Sequence, residues 1–238
     1  MKRLLVTLCL LTCRASAQSI TDPGFEQPAQ AAGGYAYRPV GAAWSFAGGA
    51  GLAANDSPFT TGNPAAPQGG QVAFLQGVAS FTQSAPDWAA GRYFVSFIAA
   101  QRTGGGLQDV QVLIDGAAVG TITPGGTTYL SYLAGPFGVA AGEHTITFQA
   151  LNSAGGDNTL LVDSVSILAA TAQLQLSLDI VDLEAKIAVA RARVQAEIFE
   201  LERLHALLAQ DAFVASATKP QRDKIQSLLW DIRKFSVP

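Results

Sequence analysis

Cysteine, methionine and histidine are nearly missing from this chain of 238 residues, with 2 Cys, 1 Met and 2 His. So few Cys and His leave almost nothing for a zinc cluster, which takes four such ligands. Charge is scarce as well. Only 14% of residues are charged, against roughly 25% in an ordinary soluble domain. The formal net charge of −3 excludes a polybasic nucleic-acid binder, which needs a strong positive balance. Beyond the N-terminus no apolar run approaches the ~20 residues that a membrane-spanning helix requires. What is abundant is hydrophobic residues, at 49%, together with 24 Gly and 11 Pro. The length suffices for one large domain or two small ones with a real core.

The first segment has the grammar of an export signal. Lys2 and Arg3 precede the apolar run Leu4–Cys13, and Ala15-Ser16-Ala17 supplies small residues for cleavage. A signal peptide over residues 1–17 implies a secreted protein, extracellular or periplasmic. Its removal would take Cys9 and Cys13 away and leave no thiol. A competing reading makes Cys13 a lipidated first residue after Leu10-Leu11-Thr12.

Charge divides the rest in two. Residues 18–168 carry three basic residues (Arg38, Arg92 and Arg102), nine acids and no lysine. Residues 169–238 carry nine basic and nine acidic residues and no glycine. The expected domains are therefore 18–168 and 169–238.

The first of these predicts a β-sandwich. Short β-rich runs recur between Gly, Pro and Asn clusters: Gln71–Gln76, Arg92–Ala100, Val110–Ile114, Val119–Thr123, Thr128–Ala134, His144–Ala150 and Thr159–Leu168. Asp115-Gly116 is a hairpin turn signal between two of them. Seven short strands with no intervening helix imply a sandwich or barrel. The Gly-rich segments Gly33-Gly34, Gly48-Gly49-Ala50-Gly51 and Gly104-Gly105-Gly106 read as loops on which a binding surface would be built.

Several of these segments together resemble galactose-binding-like carbohydrate-binding modules, which have a jelly-roll fold. They are Pro23-Gly24-Phe25-Glu26, Trp44-Ser45-Phe46, Gly91–Phe97, Val112–Gly116, Gly142–Thr145 and the closing Asp157-Asn158-Thr159 with Leu161–Ile167. The resemblance covers about residues 19–168 and implies a sugar ligand without naming it. It also implies a structural calcium ion held by Glu26 and Asp163, which occupy the family's positions. Carboxylate oxygens suit hard Ca²⁺. The alternative is that Asp163 caps a turn or meets solvent while Glu26 is merely exposed.

Sugars are held by aromatic faces against C–H surfaces and by polar groups on the hydroxyls. Tyr35 and Tyr37 are spaced to share one side of an extended segment. Arg102 ends a strand just before three glycines, and Asp157 and Asn158 end another Gly loop. These five are the candidate ligand-binding residues. Trp44, Phe46, Tyr93, Phe97 and Phe148 are expected in the core.

Other motifs were weighed against this. Gly49–Ala54 fits a dinucleotide fingerprint, but Asn55-Asp56-Ser57-Pro58 stops the helix that motif needs. There is no G-x-S-x-G elbow, and neither His144 nor His205 has flanking residues of a catalytic triad. No acidic cluster marks a glycosidase pair. The expectation is a protein that is not an enzyme.

The last 70 residues change period from two to seven. With Ile180 at a, the a positions hold Gln173, Ile180, Ile187, Val194, Leu201 and Leu208, and the d positions hold Leu176, Leu183, Ala190, Glu197, Leu204 and Asp211. Nine of these twelve are apolar, which predicts a helix from about 171 to 211 with a coiled-coil stripe. β-branched a positions with Leu at d favour a parallel dimer. Ile198 and Leu207 widen the stripe distally, where a second helix bearing Ile225, Leu228, Leu229, Ile232 and Phe235 would fold back as a helical hairpin. Packing within a monomer is the plain alternative.

Taken together, the sequence predicts a mainly β protein: a secreted, non-catalytic, lectin-like sandwich for a glycan or polysaccharide, made a homo-oligomer by its helical tail. The rivals are a structural cell-surface or matrix protein that binds other proteins, and an accessory module or cryptic polysaccharide hydrolase.

Overall fold

The computed structural model describes residues 18–208 and 217–235. The leader expected over residues 1–17 and heptad position Asp211 lie outside them. The chain divides into two compact units between Ala170 and Thr171.

The first unit is all β. Its strands are β1 Tyr35–Tyr37, β2 Ser45–Ala54, β3 Gln71–Trp88, β4 Gly91–Gln101, β5 Val110–Ile114, β6 Ala117–Ile122, β7 Leu130–Val139, β8 Gly142–Ala150 and β9 Thr159–Ala169. Every pairing among them is antiparallel. The sheet runs β6-β5-β8-β3-β9-β4-β7, with β2 also on β3 and β1 on β2. β3 is shared: its first half pairs with β9 and its second half with β8. One sheet therefore folds into two layers, and its free edges β6 and β7 come back against each other. The result is a nearly closed, jelly-roll-like sandwich.

The fold between layers has a local cause. β2 and β3 slip register between Gly48 and Gly49, opposite Gln76 and Ala79. Gly48 has φ +64°, and a side chain there would strike the Val78 carbonyl. Such a bulge bends a strand pair and increases its twist. The glycine run 48–51 is thus the interior of β2, which corrects the expectation of a loop. For the same reason the strand expected over Gln71–Gln76 does not end at Gly77 but continues to Trp88. The Asp115-Gly116 turn does form its hairpin, with both residues at positive φ.

Both faces of the inner layer carry apolar residues, so the sandwich has two clusters. The larger fills the space between layers. In it Phe81 stacks on Phe148 with ring centroids 4.9 Å apart, flanked by Phe25, Trp44 and Phe97. Trp44, Tyr93, Phe97 and Phe148 are buried, and Phe46 is half-buried against them. The smaller lies on the outer face of β2, β3 and β9 and comprises Ala53, Phe59, Val72, Phe74 and Leu161. Phe59 reaches it from the segment between β2 and β3.

Buried glutamines tie the loops down. Gln71, Gln83, Gln101 and Gln108 are all buried. Gln108 donates to the carbonyls of Gly77 (3.0 Å), Asn158 (3.1 Å) and Asn152 (3.4 Å) and accepts from the Asn152 amide (2.7 Å) and the Asp109 amide (3.1 Å). A primary amide has two donors and an acceptor, so one side chain satisfies several orphaned backbone groups.

The second unit is helical. α1 spans Ala172–Leu208 and α2 spans Lys219–Phe235, and the two helices touch. α2 begins on a capping box, in which the Thr218 amide and hydroxyl both donate to Gln221 Oε1 at 2.9 Å. Lys186–Asp182 and Arg203–Glu200 bridge successive turns of α1. Ile198, Leu201 and Leu204 are half-buried. Leu176, Ile180, Leu183, Ile187 and Val194 are exposed. No helix among the described residues is long and apolar enough to cross a membrane.

Candidate functional site

Four of the five expected ligand residues meet on the outer face of the sandwich. β1 pairs with the second half of β2, Tyr37 opposite Gly51. Alternation sends Tyr35 and Tyr37 to the same face. Gly51 is required there: a side chain would strike the Ala36 carbonyl and the Phe74 ring. Phe74 therefore lies across Gly51 and meets Tyr37 edge-on, centroids 5.1 Å apart. Phe59 stacks on Phe74 at 4.0 Å and 12°, and both tyrosines meet Phe59 edge-on. The guanidinium carbon of Arg102 sits 5.0 Å from the Phe59 centroid, a cation–π contact.

A polar chain runs beside these rings. The Tyr37 hydroxyl donates to Gln76 Oε1 at 2.5 Å, and Gln76 Nε2 donates to Asp157 Oδ1 at 2.5 Å. Arg102 pairs with the other Asp157 oxygen and donates through Nη2 to the Pro58 carbonyl at 2.8 Å. Burial, then the neighbouring Tyr35 and Asp157, push the Tyr37 hydroxyl above its usual range, against Arg102. It therefore stays protonated and holds its donor role. Tyr35 and Tyr37 remain 46% and 42% exposed. The Asp157 side chain is 48% exposed and that of Arg102 19%. The surface thus presents aromatic rings and a fixed row of hydroxyl, amide, carboxylate and guanidinium.

Asn158 is not part of it. It is 2% exposed, donates to the Asn152 carbonyl at 2.7 Å and accepts from the Gly77 amide at 3.2 Å. Its side chain is consumed in holding the loop before β9 onto the bulge of β3. Gln76, Phe59 and Phe74 were missed. Gln76 and Phe74 had a signal, since two-residue spacing puts them on one face of β3. Phe59, after Pro58 in an irregular segment, had none.

The two expected calcium ligands also come together. Asp163 is fully buried. Its Oδ1 accepts from the Ser164 amide (2.6 Å) and its Oδ2 from the Gln68 amide (2.8 Å). Glu26 Oε1 accepts from the amides of Gly70 (3.1 Å) and Gln71 (3.3 Å). The segment 68–71 thus wraps both carboxylates. Burial pushes Asp163 up to about 7, with Glu26 adding to the rise and the two amides opposing it. A dehydrated carboxylate beside a second one suits a hard cation, which would relieve both effects. Among the described residues no group of three or more His, Cys, Asp or Glu gathers to hold a metal. Backbone carbonyls or water would have to complete the shell.

His144 is engaged elsewhere. Its Nδ1 lies 2.6 Å from Asp115 Oδ2 and its Nε2 3.0 Å from the Ala140 carbonyl. The nitrogen that a serine nucleophile would need faces a carbonyl instead. The pair ties the β5–β6 turn to the β7–β8 turn.

No family profile matches the chain, and no curated protein does. Similarity appears among solved structures. The chain is similar to the Stig cyclase Fisc from Fischerella sp. TAU, at 16% identity and a TM-score of 0.50, over 66% of this chain and 98% of that one. This likeness shows the fold alone. Carbohydrate-binding modules are among the similar structures too. One is TmCBM61 in complex with beta-1,4-galactotriose, at 15% identity and a TM-score of 0.44, covering 64% of this chain and 98% of that one. Another is CBM36 in complex with calcium and xylotriose, at 23% identity and a TM-score of 0.36, covering 44% and 86%.

Proposed function

We propose that this protein is a secreted, non-catalytic carbohydrate-binding protein whose glycan surface is the Tyr35–Tyr37 edge with Gln76, Arg102 and Asp157, and whose helical tail joins copies. One observation carries this reading: two half-exposed tyrosines stand beside an ordered row of hydrogen-bonding groups that are fixed by one another. The C–H face of a pyranose would lie on a tyrosine ring. Its hydroxyls would bond to Asp157 and Gln76, whose positions are set before the sugar arrives, and such preorganisation lowers the ordering cost of binding. The segment over residues 1–17 would direct export to the extracellular space or periplasm. Glu26 and Asp163 would hold a structural calcium, which binds the start of the chain to β9. α1 and α2 would form a hairpin at the distal end, and the rest of α1 would pair in a coiled coil. A weak single site then gains from linked copies.

The test is a glycan array with the full chain and two variants. Tyr35→Ala and Arg102→Ala should each weaken binding about tenfold, a loss of ~1.4 kcal/mol, with an unchanged melting temperature for Tyr35→Ala. Absence of binding to any glycan, with tail-dependent polymers in light scattering, would move the protein to the structural class. Polysaccharide turnover by pure protein would instead make it a hydrolase.

A further inference from the structure

The proximal half of α1 carries an apolar stripe that no described residue of the helical unit covers. Leu176, Ile180, Leu183, Ile187 and Val194 are 43–57% exposed, and Ala190 completes their a/d pattern. Distally, Ile198, Leu201 and Leu204 are half-buried. The open stripe is therefore bounded to residues 176–194. A helix of that length in water needs a partner for its apolar face.

Charge decides what partner and which way it runs. In the heptad of α1, Asp179, Lys186, Arg193 and Glu200 hold g, and Glu184 and Arg191 hold e. A parallel, in-register pair brings each g beside the e five residues on in the other strand. Asp179 would then face the partner's Glu184, and Lys186 the partner's Arg191, twice each. The two Glu197 side chains would meet at a d layer. All these contacts are between like charges, and they disfavour pairing.

An antiparallel pair centred on Ala185 changes the outcome. Its layers are Leu176 with the partner's Val194, Ile180 with the partner's Ala190, and Leu183 with the partner's Ile187, each repeated by symmetry. Every layer of the open stripe is apolar. Asp179 falls beside the partner's Arg193 twice, and the two Glu197 positions lie roughly 36 Å apart along the axis. Two like contacts remain at the centre, Glu184 with its copy and Lys186 with its copy. Lys186 is already bonded to its own Asp182 at 2.7 Å, which softens its like contact in either orientation. The 176–194 stripe is thus complementary to itself only in reverse.

We infer that the second occupant of this stripe is another copy of the same chain, running antiparallel about Ala185. This rests on the proposed self-association of the tail and reverses the orientation that the a/d residues alone favour. It also changes what the tail does. Each sandwich joins its helix at the N-terminal end, through Ala170 and Thr171. The two helix starts lie roughly 40 Å apart in the antiparallel pair. Such a dimer tethers its two sandwiches to opposite ends of the helix pair. It bridges two glycan-bearing bodies, whereas a parallel pair would place both sandwiches at the same end.

Spin-label distances test it in the full chain carrying Cys9→Ser and Cys13→Ser. Labels on Ser177→Cys should show an axial separation of roughly 24 Å, against roughly zero for a parallel pair. Labels on Ala185→Cys, at an outer f position, should be axially level in either case, separated only by the width of the helix pair, and report that a dimer exists. Glu197→Gln should change the dimer dissociation constant less than twofold; a parallel pair would tighten about tenfold. A Ser177→Cys distance with no axial offset, or tightening by Glu197→Gln, overturns the antiparallel assignment and leaves self-association standing. A monomeric mass at all concentrations, with no dipolar coupling at Ala185→Cys, overturns both and means that the stripe is covered within its own chain.

Discussion

The two units bury their apolar residues by different means. The sandwich encloses its own: Phe25, Phe81, Phe97 and Phe148 are all 0% exposed, and no second chain is needed to cover them. The helical unit leaves Leu176, Ile180, Leu183 and Ile187 exposed among its described residues. The difference follows from geometry. A folded sheet has two faces that close on each other, while one long helix has a stripe that cannot meet itself. Stability in the first unit is therefore a property of the chain, and the proposed pairing would make it, in the second, a property of concentration.

The comparison breaks first at Phe81. Phe81→Ala removes a ring that stacks on Phe148 and touches Phe25, Trp44 and Phe46. The expected loss is about 4 kcal/mol of sandwich stability. It should appear in tryptophan fluorescence melts and leave the helical signal at 222 nm dependent on concentration as before. Loss of both signals in one shared transition, displaced equally, would show the two units to be one cooperative body.

The second test concerns the buried glutamines that hold the loops. Gln108→Leu keeps the volume but strips partners from the carbonyls of Gly77 and Asn158 and from the amides of Asp109 and Asn152. A loss of about 3 kcal/mol is expected, because orphaned buried groups cost more than the bond that satisfied them was worth. The denaturant midpoint should fall without a change in slope. A neutral result would mean that water reaches this loop junction.

How these regions read from sequence follows the same division. β4, β5, β8 and β9 are legible as short β-rich runs because Gly, Pro and Asn clusters bound them. Tyr35, Tyr37, Arg102 and Asp157 were legible as a site because aromatic and polar residues beside glycine loops carry local signals. β2 was not, because its glycines are there to let Phe74 and Ala36 approach and to let β3 bend. Those are demands of tertiary structure that look locally like a loop. Asn158 shows the limit in the other direction. A polar residue beside a glycine loop looks like a ligand group, and only the surrounding carbonyls reveal that its bonds are spent inside. In α1, the a and d residues alone favour a parallel pair, and the charges at e and g point the other way.

The smallest expected effect is the one that asks whether the sandwich is self-sufficient after all. Asp163 has its carboxyl pushed up to about 7 by burial, from 3.8. A carboxylate raised in the folded state favours folding only while it is protonated. Without a cation, its contribution is full below about pH 3.8 and declines as pH rises towards 7. Calcium must displace the proton to bind between Asp163 and Glu26, so its affinity should rise over that same window. With calcium tenfold above its dissociation constant, the gain is about 1.4 kcal/mol. The melting temperature should then rise on adding calcium and fall on adding chelator, more at pH 8 than at pH 5.5. Asp163→Asn should abolish the response. If the melting temperature ignores calcium at pH 8, the amides of the 68–71 segment alone hold the two carboxylates. The sandwich would then need no ion to join its first residues to its last strand.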